Sequence, residues 1–382
     1  MSRVPPFTIG IEEEYLLVDL ESRDLDTDPP PGLVAECLKA GRGQVSPEFL
    51  RSQIEVGTQV CHSIPEALTD LKRLRQTVVE VARRHGLAPI AASTHPFAHT
   101  MQQKRTDKDR YLALAQEMQA AARRMLICGM HVHIGIDDND QRIDLMNQLA
   151  YFLPYFLALS SSSPFWEGEQ TGFKSFRLTV FNALPRTGLP ERFASYGEYQ
   201  RHIDTLIRTG LIHDTSMIWW DLRPSWRYPT LEARIMDCCT SVADAACVAA
   251  LVQSTLRMLY RLRRGNQQWR LHPDMLVNEN RWRAMRYGYD EGLLDLGRGE
   301  LVPFAELLEE LIELVREDAI ALDCLANVEH ARTILRRGTS AHRQIRVYED
   351  ARSAGANDRE ALSAVVDWLV EETASGLGPV AS

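Results

Sequence analysis

Five short segments of this chain alternate apolar side chains with acidic, basic or imidazole side chains. In an extended strand successive side chains point to opposite faces, so residues 7–18 place Glu12 and Glu14 on one face and Ile9, Ile11 and Glu13 on the other. Four further segments follow the same rule: 52–57 with Gln53 and Glu55, 130–134 with His131 and His133, 175–179 with Ser175, Arg177 and Thr179, and 231–235 with Glu232 and Arg234. Each strand therefore has one face suited to a core and one suited to a polar site.

Helical spacing of apolar residues predicts helices between these strands. A capping-box pattern at Ser63 and Glu66 opens a helix that ends at Gly86, and a helix that starts at Ser241 ends before Gly265. Other predicted helices cover about 107–126, 142–160 with a kink at Pro154, 303–326 and 358–374. Alternating strands fit an antiparallel sheet better than a parallel sheet buried on both faces. The pattern predicts an α+β fold in which helices back a concave, polar sheet.

The chain carries no internal repeat and no low-complexity linker across its 382 residues. This continuity favours one catalytic domain over residues 1–382. We expect its core to span about 7–350, with a C-terminal helical segment, about 303–374, packed on that core.

Composition narrows the class of protein. With 45% hydrophobic and 25% charged residues the chain is neither disordered nor fibrous. Its 43 basic and 52 acidic residues give a net charge of −9, which provides no general attraction to nucleic acid or anionic membranes. Seven cysteines without a C-x-x-C spacing indicate buried, reduced thiols. The N-terminus lacks the apolar core of a signal peptide, and the apolar stretch 149–159 is too short to span a bilayer. We expect a soluble, cytoplasmic protein.

The polar strand faces predict a cation site. Two carboxylates about 7 Å apart repel by roughly 2–3 kcal/mol at an effective dielectric constant of about 20. Four carboxylates in one cavity repel several times more strongly unless a cation lies between them. Carboxylates with one imidazole suit Mg²⁺ or Mn²⁺ better than a closed zinc site, and Arg177 and Arg234 could hold phosphate or carboxylate oxygens. Together these features indicate phosphoryl transfer.

Each feature also has a plain structural interpretation. The run Glu12–Glu14 could be a solvated strand edge, Glu232 and Arg234 a cross-strand ion pair, and His133 a hydrogen-bonded structural group. Tryptophans 219, 220 and 226, near Arg223 and Arg227, could stack a base or anchor the core. The glycines and aromatic residues of 164–172 are typical of a mobile lid. P-loop, dinucleotide-binding and nucleophile-elbow motifs are absent from the sequence.

Six sequence motifs resemble, in kind and in order over about residues 7–350, those of the YbdK-like carboxylate–amine ligases, the type 2 glutamate–cysteine ligase family. They are FTIGIEEEYLLVD ending at Asp19, THPF ending at Phe97, GMHVHIG ending at Gly135, SSPFW ending at Trp166, WWDLRPS ending at Ser225 and PTLEARIMD ending at Asp237. Two minor departures are Ser162, where many members carry Asn, and Ala233, where many carry Val.

The resemblance implies a glutamine-synthetase-like fold, an antiparallel sheet curved around the active site. It implies ATP and Mg²⁺ (or Mn²⁺), phosphorylation of a glutamate side chain, and displacement of phosphate by an amine. The positions that resemble metal and nucleotide-phosphate ligands are Glu12, Glu14, Glu55, His131 and Glu232. Those that resemble phosphate- or substrate-contacting residues are Arg177 and Arg234.

The leading hypothesis is an ATP-dependent carboxylate–amine ligase with small-molecule substrates, no nucleic-acid partner and no membrane. Two alternatives stay open. A metal-dependent amide hydrolase could use His131, His133 and Glu232 without ATP. A nucleotide- or amino-acid-binding regulator would bind without turnover. The amine acceptor is not encoded in any motif, and homo-oligomers are the common state of such enzymes.

Overall fold

A seven-stranded antiparallel sheet organises the fold of the computed structural model, which describes residues 4–378, excluding the side chain of Arg110. The strands within this range are β1 (Ile9–Asp19), β2 (Val45–Pro47), β3 (Gln53–Gly57), β4 (Leu87–Ile90), β5 (Met130–Gly135), β6 (Phe165–Trp166), β7 (Glu169–Gln170), β8 (Thr187–Gly188), β9 (Trp219–Trp220), β10 (Leu222–Pro224), β11 (Thr230–Ala233), β12 (Leu293–Asp295) and β13 (Glu300–Val302).

Helices fill the connections between these strands. They are α1 (Pro31–Ala40), α2 (Ile64–Arg84), α3 (Asp109–Met118), α4 (Ala120–Arg123), α5 (Asn139–Leu149), α6 (Leu153–Ser160), α7 (Arg177–Phe181), α8 (Tyr196–Arg208), α9 (Val242–Arg264), α10 (Asp274–Tyr287), α11 (Phe304–Ala321), α12 (Leu325–Glu329), α13 (Ala331–Arg337), α14 (Ser340–Ser353) and α15 (Asp358–Ala374).

The order of the central sheet is β10-β11-β5-β1-β3-β2, and β4 pairs with the last residues of β1 beyond the end of β5. Every pair in this sheet is antiparallel. The predicted α+β fold with an antiparallel sheet is confirmed. Strand β1 lies at the centre because its 11 residues are long enough to pair with three neighbours.

One face of the sheet is apolar and is covered by helices. Ile9, Ile11 and Tyr15 of β1 are fully buried there in a core shared with α2 and α9. Helix α9 is long and apolar enough to cross a membrane, but 89% of its most apolar 18 residues are buried inside the protein. Its composition is therefore that of a central core helix, which α2, α5, α6, α11 and α12 surround.

The opposite face changes character along β1. Glu12 and Glu14 point to the polar side, whereas Leu16 and Val18, two and four residues further on, are buried in a second apolar cluster. Helix α15 supplies Leu362, Val365, Val366 and Leu369 to that cluster. The C-terminal helices therefore close one end of the concave face and leave the polar end open.

Most of the predicted helices are present. The helix predicted at 358–374 is confirmed by α15, and the helix that begins after Ser63 is confirmed by α2. The predicted 142–160 helix runs as α5 and α6 with a tighter turn at Ala150–Phe152, just before Pro154. The prediction for 107–126 is divided at Gln119, whose φ of 45° interrupts the helix between α3 and α4.

The strand predicted at 175–179 is wrong, because Arg177 begins helix α7. Buried hydrogen bonds fix this start: Ser175 Oγ donates to Asp237 Oδ1 over 2.8 Å, and the Arg177 backbone N–H donates to Ser163 Oγ over 3.1 Å. These tertiary contacts outweigh the weak preference for a strand that the alternation of side-chain types over only five residues indicates.

Candidate active site

A cavity of about 570 Å³ opens on the concave face of the sheet. Its walls are the polar side chains of β1, β3, β5, β10 and β11, and residues from α3, α7 and the loops at 46–49, 213–219 and 225–228. All seven residues predicted to form the site line this cavity: Glu12, Glu14, Glu55, His131, Arg177, Glu232 and Arg234. Residues from widely separated parts of the chain therefore meet in one place.

Strand register creates the first group of possible metal ligands. The register places Glu12 opposite His131, and Glu232 of β11 lies on the far side of β5. One ligand atom from each of Glu12, His131 and Glu232 lies within 4.8 Å of the other two. Nδ1 of His131 is 3.2 Å from Glu12 Oε2 and 3.3 Å from Arg234 Nη1, while the buried Nε2 of His131 has no hydrogen-bond partner within residues 4–378.

Two arginines hold Glu232 in its charged form. Arg223 forms a two-point contact, with Nε 3.0 Å from Oε2 and Nη2 3.2 Å from Oε1, and Arg234 Nη1 contacts the same Oε1. Burial favours the neutral acid, but Arg234 and Arg223 together keep the pKa of Glu232 well below its usual range. Glu232 is therefore an anion with its charge shared between two cations.

The two histidines of β5 lie in different environments. Burial, reinforced by the charge of Arg234, lowers the pKa of His131 to about 4, so this imidazole is neutral near pH 7. A neutral imidazole is the form that binds a metal. His133 Nδ1 is 3.0 Å from Thr230 Oγ1. Against the effect of burial, a hydrogen bond to Glu12 and the charge of Glu232 raise the pKa of His133. The contact with Thr230 agrees with a structural role for His133.

A second group of carboxylates lies further along β1. Oxygens of Glu14, Glu48 and Glu55 lie within 4.8 Å of one another. The Gly129 N–H donates to Glu14 Oε2 over 2.7 Å, and Ser46 Oγ donates to Glu55 over 3.2 Å.

Carboxylates this close disfavour each other's charge. Burial and the neighbouring Glu48 raise the pKa of Glu14 to about 7. Burial and Glu12 raise the pKa of Glu55 well above its usual range. A cation placed among these oxygens would relieve both effects.

Glu48 was missed by the sequence analysis. It follows the three-residue strand β2 and Pro47, where too few alternating residues precede it to identify a face. The signal was the short distance in sequence to Glu55, since β2 and β3 form a hairpin that places Ser46 opposite Glu55. Glu48 is the first residue of the loop of that hairpin, and it lies beside Glu55 of the partner strand.

Arg177 reaches the cavity from α7 rather than from a strand. The residue is 3% exposed, and its Nη atoms donate to the carbonyl oxygens of Arg234, Ile235 and Met236 over 3.2–3.3 Å. Gly129 lies against this guanidinium, and a Cβ at position 129 would clash with Arg177 Nη2 unless the arginine side chain moved. Arg177 therefore holds residues 234–236, which follow β11, by hydrogen bonds, and its charge lies close to Glu14.

The loop expected to act as a lid does not border the cavity. Residues 164–174 form a hairpin that is held elsewhere: Glu167 accepts from both the backbone N–H and the hydroxyl of Thr100, and Lys174 pairs with Asp290 at 3.1 Å. The segments that do cover the cavity are α3 and the loops around 213–219 and 225–228. In this structure the segment 164–172 therefore lies outside the lining of the cavity.

The central sheet and its acidic and basic cavity define a glutamate–cysteine ligase-like fold. Its architecture is similar to a glutamate–cysteine ligase from Francisella tularensis in complex with AMP, with a TM-score of 0.68 at 15% identity over 97% of this chain and 90% of that one. A bifunctional glutathione synthetase from Pasteurella multocida gives a TM-score of 0.67 at 15% identity, over 96% of this chain and 52% of that one. At these identities the likeness concerns the fold alone.

Sequence comparison gives the family. The family model described as glutamate-cysteine ligase family 2 matches residues 8–367, and the chain belongs to that family. A protein of Rhodospirillum rubrum provisionally named glutamate–cysteine ligase 2 is 59% identical over 98% of both chains. One of Jannaschia sp. with the same provisional name is 53% identical over 96% of both. Membership places the chain among the ATP-dependent carboxylate–amine ligases.

Proposed function

We propose that the cavity binds ATP with Mg²⁺ or Mn²⁺, phosphorylates the side-chain carboxylate of glutamate, and joins the resulting acyl group to an amine. A carboxylate oxygen attacks the γ-phosphorus of ATP and ADP leaves. The amine nitrogen then attacks the acyl carbon, loses a proton, and phosphate leaves. The observation that carries the proposal is the meeting of two groups of oxygen and imidazole ligands with arginines in one cavity. Membership of glutamate–cysteine ligase family 2 supports the choice of donor.

The donor set fits a hard divalent cation. Glu12, His131 and Glu232 would hold one ion, and Glu14, Glu48 and Glu55 would hold another. The buried Nε2 of His131 lacks a hydrogen-bond partner among residues 4–378, and burial together with acidic neighbours raises the pKa values of Glu14 and Glu55. A bound cation would screen phosphate charge and polarise the transferred phosphoryl group.

The cationic side chains would position the anionic substrates. Arg234 contacts Glu232 through Nη1, while its buried Nε has no hydrogen-bond partner in the described part of the chain and would donate to an oxygen of phosphate or carboxylate. Arg177, whose Nη atoms are engaged with backbone carbonyls, would act mainly by holding Arg234 and its strand in place. Neither step requires a cysteine nucleophile, and all seven cysteines are buried.

Phosphate release from ATP with glutamate, Mg²⁺ and a panel of amines that includes cysteine tests the proposal. The expected result is amine-dependent phosphate release and, by mass spectrometry, a product one condensation heavier than its substrates. Release of ammonia or amine from an amide without ATP would instead identify a hydrolase. Binding of Mg–ATP with no phosphate release for any amine would favour the regulator.

Variants Glu12→Gln and Glu48→Gln test one residue from each ligand group. Each amide keeps the side-chain shape and removes a charged metal ligand, so turnover should fall at least about 10–100-fold, the range found for groups that merely support a metal ligand. Glu169→Gln, at an exposed glutamate of β7 outside the cavity, is the matched control. Unchanged turnover of both site variants with intact circular dichroism would refute the metal-ligand assignment.

We also propose that the enzyme acts in the cytoplasm as a homo-oligomer, on small molecules and without nucleic-acid or membrane partners. The acidic net charge of −9 supports the last two points. Sedimentation of the purified chain tests its oligomeric state directly.

A further inference from the structure

Trp226 presents an open aromatic ring at the mouth of the cavity. Its side chain is 52% exposed and that of Tyr228 is 44% exposed, and both line the same cavity as Glu12 and Glu232. Large aromatic rings that remain exposed beside a polar cleft are typical of ligand contacts rather than of packing.

The turn that carries these rings is held firmly against the site. It joins β10 to β11, with the Ser225 N–H bonded to the Thr230 carbonyl over 3.0 Å and Ser225 Oγ accepting from the Tyr228 N–H over 3.3 Å. The two strands also carry Arg223 and Glu232, opposite each other in register. The backbone of the turn is therefore fixed relative to the first ligand group.

His133 connects the aromatic turn to that ligand group. The ring of Tyr228 meets the His133 ring edge-on, with centroids 6.2 Å apart, and His133 Nε2 is 3.5 Å from Glu12 Oε1. Only the side chain of His133 therefore separates the turn from Glu12. A polyphosphate bound at Glu12, His131 and Glu232 would have its other end close to the turn.

The two ends of the cavity differ in charge. Around the turn lie Arg223, Arg227 and Arg234 with two carboxylates, Glu12 and Glu232, whereas the lining further along the cavity has Glu14, Glu48 and Glu55 with Arg177 and Lys108. The end beside the turn therefore carries the more positive charge, which favours a polyanion there. This places the polyphosphate of a nucleotide beside the β10–β11 turn.

Trp219, the other tryptophan of the cavity, is less available. The Arg186 guanidinium lies over its ring at 5.4 Å, and Trp219 belongs to the short strand β9, paired with β8. No such cation over Trp226 occurs among residues 4–378, the part of the chain with described contacts. Of the two rings, Trp226 has the open face.

We propose that the β10–β11 turn is the base-recognition element, with the nucleobase stacked on Trp226 and flanked by Tyr228 and Arg227. The inference rests on the proposed function, since it requires a nucleotide whose phosphates occupy the first ligand group. Stacking on an aromatic ring tolerates different bases, because every base has a π face. The site therefore selects a nucleotide mainly by its phosphates.

Calorimetric titration with two ligands separates the base from the phosphates. Mg–AMPPNP, a non-hydrolysable ATP analogue, and Mg–tripolyphosphate are titrated into wild type, Trp226→Ala, Trp226→Phe and Trp282→Ala. Trp282 is 44% exposed on α10 outside the cavity and is the matched control. We expect Trp226→Ala to weaken Mg–AMPPNP binding about 10–100-fold, the range for loss of one stacked base. The affinity of Trp226→Ala for Mg–tripolyphosphate, and the affinities of Trp282→Ala for both ligands, should stay within about twofold of wild type. Trp226→Phe should retain most of the affinity for Mg–AMPPNP.

Two results would overturn the assignment. Wild-type AMPPNP affinity in Trp226→Ala would place the base elsewhere in the cavity, and an equal loss for both ligands would mean that the substitution disturbs the phosphate site. Failure of wild type to bind Mg–AMPPNP at all would instead overturn the proposed function, and the base assignment with it. Wild-type binding with a selective loss in Trp226→Ala supports both.

Discussion

Glu13 shows how strongly the face of a strand decides what a glutamate does. It lies between Glu12 and Glu14 but points to the opposite, apolar side, where it is fully buried. Arg75 of α2 meets it with Nε 2.7 Å from Oε2 and Nη2 2.6 Å from Oε1, and Arg75 also donates to the carbonyls of Cys239 and Thr240. The ion pair therefore ties β1, α2 and the start of α9 together.

Removing Arg75 should destabilise the protein far more than removing a surface arginine. Arg75→Met leaves the Glu13 carboxylate buried without its partner, which is expected to reduce the free energy of unfolding by about 3–5 kcal/mol. Arg73, two residues earlier in α2, is the comparison. Arg73→Met removes a partly exposed contact with Asp70 and should lower the free energy of unfolding by at most about 1 kcal/mol. Urea unfolding followed by circular dichroism measures both, and equal losses would contradict this account.

At the scale of residues, the sequence predicted which side chains face the cavity better than it predicted their partners. A period of two is enough to separate Glu12 and Glu14 from Glu13, because orientation is a local property of the backbone. The partner of Glu13 lies 62 residues away in α2, and the partner of Glu232 includes Arg223 from the next strand. Such pairs depend on tertiary packing, which alternation does not encode.

At the scale of elements, α15 depends on its N-terminal cap. Asn357 accepts from the Glu360 backbone N–H over 3.0 Å, and the Glu360 side chain accepts from the Asn357 N–H over 2.8 Å, which completes a capping box. The helix then places Val365 and Leu369 on the apolar end of the concave face.

Asn357→Ala should therefore lower the free energy of unfolding by about 0.5–2 kcal/mol. The Glu360 N–H loses its acceptor, and the reciprocal bond from the Asn357 N–H to the Glu360 side chain loses the other half of the capping box. Asn357→Ser keeps a capping oxygen and is the matched control, expected within a few tenths of a kcal/mol of wild type. Thermal and urea denaturation measure the difference. A loss of the same size in both variants would show that the side-chain volume of Asn357, not its cap, matters.

Elements with strong local signals were predictable and those without were not. The bounds of α15 and α9 follow from caps, terminal glycine and apolar periodicity, which are properties of contiguous residues. Even there Ser241 makes no side-chain cap within the described part of the chain, and the Asp244 carboxylate pairs with His330 and Arg337. The hairpin at 164–174 and the start of α7 could not be predicted from local sequence, because hydrogen bonds to Thr100, Asp237 and Ser163 determine their shape.

At the scale of the whole molecule, His95 links global stability to pH. The imidazole is buried: Nδ1 accepts from the backbone N–H groups of Phe97 and Ala98, and Nε2 donates to the Arg23 carbonyl over 3.0 Å. Burial, with a smaller effect of Arg359, lowers the pKa of His95 to about 3 from 6.5. Protonation at Nδ1 would remove both acceptor contacts.

The direction of the pH dependence of stability follows from the proton that His95 binds on unfolding. Between pH 6.5 and 3 the unfolded histidine is protonated and the folded one is not, so stability is present above pH 6.5 and falls as the pH decreases. The slope from this residue is at most about 1.4 kcal/mol per pH unit. His95→Asn keeps an acceptor near the Nδ1 position and does not titrate. Its unfolding free energy should decline less between pH 6.5 and 4.5, and parallel pH profiles would contradict the assignment.

The overall architecture was predictable as a class, but the order of its strands was not. Charge on one face and apolar side chains on the other require an antiparallel sheet with one covered face. The order β10-β11-β5-β1-β3-β2 depends on which strands meet, and β1 pairs with β5 more than 100 residues away in sequence. The same alternation is compatible with several orders of these strands.

The central position of β1 also has a consequence for synthesis on the ribosome. The strand emerges first, yet β11, which supplies Glu232, ends at Ala233. At about 5–20 residues per second, roughly 10–40 s separate the two. For about the first half of that time β1 lacks its neighbour β5, and for all of it the chain lacks helix α9 of the shared core. Unpaired strand edges are prone to aggregate. We therefore expect the yield of active protein in a cell to depend on chaperones that bind the nascent chain as much as on the stability of the finished enzyme.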